Sequence, residues 1–320
     1  MRRSLFCSLL SLLCSVPSAI VLLSSTTFLE SAAPAQTVTV PMRSYTDVRA
    51  VVAVKVNGAG PYDFVVDTGA TATVVDAALF AELGLQPEGS VAMGSATGWQ
   101  TQVRSTVKEI SVGGLAAQDL TVLSVKSLPF GSGLRGVRGI LGENFLHHFD
   151  VLIDNQHRKI MLDAGGSLAD SFGGERLPIA FPAAVEGEEM RYRPMVSVTL
   201  ASSGTRPVKV LLDSGADNFV LVGKNAQPWA RSAAVGVRTV NGSMACTSSE
   251  DRLHWGKASS ELTLVSCQSP AANPNDHEGN LPTAAFKQIL ISHAGSYAIV
   301  NPAKSNRAPQ EIATVGPLAR

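Results

Sequence analysis

One short pattern occurs twice and limits what this chain can become. Val65-Val66-Asp67-Thr68-Gly69-Ala70 is echoed by Leu211-Leu212-Asp213-Ser214-Gly215-Ala216, 146 positions later. Each copy is an apolar run that stops at an acid followed by turn-forming residues, the pattern of a buried strand ending in a tight loop. Three further matches keep the same order. Thr97-Gly98 pairs with Asn241-Gly242 at an offset of 144, Leu120–Ser124 with Leu262–Ser266 at 142, and Gly139-Ile140-Leu141 with Gly279-Asn280-Leu281 at 140. A duplicated unit with small loop deletions produces an offset that shrinks steadily; unrelated coincidences do not stay in register.

The duplicated unit reads as β structure. Ala50–Val56 is β-branched and closes on the turn pair Asn57-Gly58, and Phe64–Val66, Leu120–Leu123, Val151–Ile153 and Met195–Leu200 are short apolar runs of the same kind. Helix patterns are few: Val75–Leu83, stopped by Gly84, and Phe145–Phe149. The expected architecture is mainly β, two related barrel-like lobes of six to seven strands with a cleft between them. The expected organisation is a first lobe over 36–165, a Gly-rich connection over 166–190, a second lobe over 191–303 and a flexible tail over 304–320.

Composition bounds the remaining classes. With 45% hydrophobic and 16% charged residues the 320-residue chain is globular and large enough for two units. Zero formal net charge and the lack of a basic stripe argue against a nucleic-acid partner. Met1-Arg2-Arg3, the apolar stretch Ser4–Leu23 and the small residues Ala33-Pro34-Ala35 read as a secretory signal over 1–35, with a mature chain from Gln36 in the periplasm or outside the cell and no stable membrane insertion afterwards. Cys7 and Cys14 fall inside that signal, which leaves Cys246 and Cys267 as an expected disulfide. Cys/His clusters of the kind that hold zinc are lacking, so neither metal nor cofactor is expected.

The chemistry follows from the paired acids. Cleaving an amide needs an activated water and a proton donor. Two carboxyls held together do not both ionise, so one proton is shared: the charged member takes a proton from water and the neutral one gives a proton to the carbonyl oxygen. Pepsin is the standing example of that logic. The two Asp-Thr/Ser-Gly-Ala loops resemble the active-site loops of aspartic peptidases, pepsin-like and retropepsin-like, over most of 49–163 and more loosely over 191–301. Gly139–Leu146 resembles the apolar-apolar-Gly segment packed behind such a loop.

The resemblance implies Asp67 and Asp213 as the catalytic pair. Thr68 and Ser214 would cross-link the loops, Gly69 and Gly215 would permit close approach, and Ala70 and Ala216 would keep the cleft floor small. It also implies a peptide or protein substrate. Hairpins at Met93–Gly98 and 236–242 read as flaps or as plain surface turns. Gly98, Trp99 and Gly242 are candidate substrate-binding residues on them. Asp217 stands where retroviral-type peptidases hold substrate backbone, although lobe one has Thr71 in that place. Pro282 departs from Gly142 and bears on whether Asp213 is correctly placed. Two alternatives stay open: a peptide-binding protein with a misaligned pair, and a homodimer joining Asp67 to the same residue of a second chain. A single chain with both motifs favours the monomer.

Overall fold

The computed structural model describes residues 37–45, 47–95, 97–181, 192–222, 233–239, 241–268, 277–301 and 303–304. The signal segment 1–35, the proposed start at Gln36 and all but the first residue of the tail lie outside them. The chain is mainly β, and two closed six-stranded barrels form its lobes.

The duplication is reproduced strand by strand. In the first lobe Val51–Val56 pairs with Ala59–Val66 through the two-residue turn Asn57-Gly58, whose φ angles of 49° and 78° suit these residue types. The sheet then runs through Gly139–Leu141, Thr73–Asp76, Leu115–Val125 and Gly98–Val112 to Ser90–Ser95. In the second lobe Met195–Leu200, Pro207–Asp213, Gly279–Pro282, Phe219–Val222, Ala258–Cys267, Gly242–Trp255 and Ala233–Thr239 follow in the same order. Each sheet closes on itself through its first strand and its long sixth one. A continuous apolar core includes Phe64, Phe145, Phe219 and Phe286 and so runs through both lobes.

A third sheet was not legible as such in the sequence. Thr37–Pro41, Lys159–Asp163 and Asp150–Asp154 from the first half join Gln288–Ser292, Tyr297–Val300 and Leu177–Pro178 from the second. Its central seam is the antiparallel pairing of Val151, Leu152 and Ile153 with Ile291, Leu290 and Ile289. These are continuous apolar runs because both faces of the strands are covered. The stretch read as a connection contains the helix Ser167–Ser171, and Phe172–Gly173 pairs with Ala303–Lys304, so position 304 belongs to a strand. The first expected helix is shorter than its pattern. Val75 and Asp76 finish a strand, and Ala77–Glu82 is helical with the Asp76 carboxylate accepting from the Leu79 N–H at 2.6 Å. The second is Glu143–Leu146, set two residues earlier than expected.

Cys246 and Cys267 stand opposite each other on neighbouring strands and are bonded. Tying positions 21 apart stabilises by about 3 kcal/mol in the chain-entropy account. The Cys246→Ser/Cys267→Ser double variant is therefore expected to lose about that much stability in urea melts, and an unchanged midpoint would refute this account.

Candidate active site

Both acid loops leave the ends of buried strands, Ala59–Val66 and Pro207–Asp213, and meet between the lobes. The Thr68 hydroxyl donates to the Leu212 carbonyl at 2.7 Å and accepts from the Ser214 N–H at 3.0 Å. Ser214 answers in kind, donating to the Val66 carbonyl at 2.8 Å and accepting from the Thr68 N–H at 3.0 Å. Both side chains are buried, so four hydrogen bonds satisfy two hydroxyls, two N–H groups and two carbonyls across the junction where water does not reach. The backbones come too close for side chains beyond hydrogen. A Cβ on Gly69 would stand 2.5 Å from Cγ of Asp213, and one on Gly215 would collide with the Asp67 carboxyl.

This brings the carboxyls of Asp67 and Asp213 within hydrogen-bond reach of each other. Their surroundings are nearly twofold symmetric. Oδ1 of Asp67 accepts from the N–H groups of Gly69 and Ala70 at 2.8 and 3.0 Å, and Oδ1 of Asp213 accepts from those of Gly215 and Ala216 at the same distances. Burial, followed by the charge of Asp213 and the hydrogen bond to it, pushes the Asp67 carboxyl well above the usual range, against the pull of its two backbone donors. A carboxyl pair that retains a proton can supply an acid and a base at one site.

Residues 52–145, the stretch containing the first acid loop and the segment behind it, match the aspartyl protease family. The family match and the paired acid loops support aspartic peptidase activity in general, with peptides or proteins as the substrate class. Among solved structures the chain is similar to a retropepsin-like aspartic protease from Rickettsia conorii, at 17% identity over 40% of this chain and 91% of that one, with a TM-score of 0.29. No curated protein matches the chain.

The two long hairpins of the lobes meet at their tips. The hairpin tips carrying Gly98 and Gly242 occupy equivalent positions, and both glycines take positive φ, 136° and 143°. The tips touch across the lobes. The Asn241 amide donates to the carbonyls of Met93 and Gly98 at 2.8 Å, and the hydroxyls of Thr97 and Thr239 lie 2.5 Å apart. Trp99 packs against Gly94 on its own hairpin and is 66% exposed. In the sequence Asn241 enters only as the repeat partner of Thr97, and Thr239 only as part of the 236–242 hairpin; their contact across the lobes belongs to the fold.

Asp217 is half exposed and bonds Arg49 of the first lobe at 2.9 Å. Arg49 also donates from Nε to the Gly215 carbonyl at 2.6 Å, pairs with Asp47, and lies over the Phe130 ring. One guanidinium therefore braces the opposite acid loop, leaving the second Asp217 oxygen to the Asn218 amide. A cavity of about 570 Å³ lies beside Phe130 and is also lined by Leu128 and Leu134, by the Asp76 carboxylate, which Arg138 holds, and by three exposed cations: Lys126, Arg135 and, from the second lobe's hairpin, Arg238.

The segments behind the two loops differ for a local reason. In lobe one the Gly142 N–H donates to the Thr73 hydroxyl at 3.2 Å, and the Asn144 side chain accepts from Thr73. A Cβ at Gly142 would press on Ala72 and Ala70. At the equivalent places lobe two has Pro282, Phe219 and Ala284. Where lobe one has a backbone N–H and a hydroxyl acceptor, lobe two has a proline with no N–H and a phenylalanine with no acceptor, so the polar hub is exchanged as a set. Pro282 remains in register with Asp213, so the substitution does not break the pairing beneath the loop. Behind lobe one the buried Glu143 bonds His293, in the turn that joins the shared-sheet strands Gln288–Ser292 and Tyr297–Val300, at 2.9 Å. Burial pushes Glu143 up; it works against the charged form of His293 too, but the neighbouring carboxylate overcomes it and holds the imidazole above its usual range.

Proposed function

We propose that the chain is an aspartic-type endopeptidase in which Asp67 and Asp213 of one molecule form the catalytic pair. The carboxylate takes a proton from water as its oxygen adds to the scissile carbonyl carbon. The protonated partner gives its proton to the carbonyl oxygen, and collapse of the diol, with proton transfer to the departing amide nitrogen, breaks the C–N bond. What carries this reading is the reciprocal Thr68–Ser214 hydrogen bonding that holds the two carboxyls together in a single chain. A secreted or periplasmic location is part of the proposal, supported by the N-terminal apolar run and the disulfide.

The cavity beside Phe130 carries three cations against one carboxylate, Asp76, which Arg138 already pairs, and this balance favours an acidic side chain in the substrate. Incubating the chain with a mixed peptide library from pH 3 to 7 is expected to yield internal cleavages, stopped by pepstatin, with Asp and Glu enriched near the cut. Peptides that bind but stay intact across that range would turn the reading to a binding protein.

A further inference from the structure

The symmetry of the acid pair is broken at one residue. Ile140 and Asn280 occupy the same position in the two lobes, each in register with the strand that delivers its acid: Val65 with Ile140, Leu211 with Asn280. Ile140 is buried among Ala72, Val74, Leu123 and Val125 and has nothing to donate. The Asn280 side-chain amide reaches Oδ2 of Asp213 at 2.5 Å. Asp213 therefore accepts three N–H donors, two on Oδ1 and one on Oδ2, while Asp67 accepts two. Donors aimed at a carboxylate favour its charged form.

We infer that Asn280 is a positioning residue that decides which member of the pair holds the shared proton: Asp213 is the ionised base and Asp67 the protonated acid. This rests on the peptidase reading for its catalytic meaning, though not for its physical content. The upward displacement of Asp67 agrees with it. The orientation of the amide is part of the inference. With Nδ2 inward Asp213 must accept, whereas with the amide oxygen inward Asp213 would have to carry the proton. Among the described residues, the charged groups bonded to these acid loops from outside are Arg49, on the Gly215 carbonyl, and its partner Asp47, with Asp217 of the second loop on the same guanidinium; the variants below leave all three unchanged.

The test is carboxyl-¹³C NMR titration of the full chain, with one acid removed at a time so that the other titrates alone. In an Asp67→Asn background, adding Asn280→Ile is expected to raise the Asp213 midpoint by about one pH unit. In an Asp213→Asn background the same change is expected to leave the Asp67 midpoint where it was. Asn280→Ser, a smaller change, replaces Asn280→Ile if the latter does not fold. In otherwise unmodified enzyme, Asn280→Ile is expected to move the acid limb of kcat/KM upward by a similar amount. An Asp213 midpoint that ignores Asn280, or one lying above that of Asp67, overturns the inference. If no peptide is cleaved but the titration order holds, the peptidase reading fails and the proton assignment stands.

Discussion

Asp67→Asn and Asp213→Asn are each expected to remove peptidase activity by about 10⁴-fold or more, and the double variant to be hardly worse than either. The two carboxyls lie in hydrogen-bond reach and divide one job, so the first loss disables the second group. Asn keeps the shape and can still accept from the loop N–H groups that now bind Asp67 and Asp213. Circular dichroism should therefore report an intact fold. Stability should respond with a definite sign. Because the folded-state value of Asp67 is raised, the native chain holds a proton that the unfolded chain releases. Wild-type stability then falls as pH rises from about 4, the ordinary carboxylate value, through the raised one. Asp67→Asn removes that loss and should melt higher than wild type at pH 7, with a smaller difference at pH 4. Full activity in Asp213→Asn would dissolve the intramolecular pair and point to Asp67 working with a second chain.

Thr68→Ala is expected to destabilise by about 2–4 kcal/mol, read from the urea midpoint. It withdraws the partner of the Ser214 N–H and the donor to the Leu212 carbonyl at a site with no exposure, and each buried group left unmatched costs about 1–3 kcal/mol. Thr68→Ser retains the hydroxyl and should stay within about 1 kcal/mol of wild type. Ser214→Ala should behave like Thr68→Ala, and the double variant should cost less than the two singles together, because they share one network. Since this network spans the lobes, activity should drop with stability. A Thr68→Ala variant as stable as wild type would mean that the lobes are held chiefly elsewhere, with the shared sheet the first candidate.

The twofold plan, the strands and the two acids were legible in residue order alone because each is local or periodic. An apolar run stopping at Asp-Thr-Gly-Ala needs no distant partner to be recognised, and its repetition after 146 residues carries the lobe topology with it. What residue order left open depends on which groups the fold places face to face. The sheet shared between the halves joins segments more than a hundred residues apart, and its apolar runs look the same whichever strand they pair with. Pro282 departs from Gly142 in residue order, and only the folded chain shows it in register with Asp213, while the Gly142–Thr73 hydrogen bond of lobe one has no counterpart between Pro282 and Phe219, which have neither N–H nor hydroxyl to make it. Arg49 carries no motif; only the folded chain brings it 2.6 Å from Gly215. Asn280 stood inside a recognised repeat as an ordinary mismatch with Ile140. Its meaning came from direction, since one strand position aims an amide at a carboxylate where its twin buries a hydrocarbon, and residue order does not record where a side chain points.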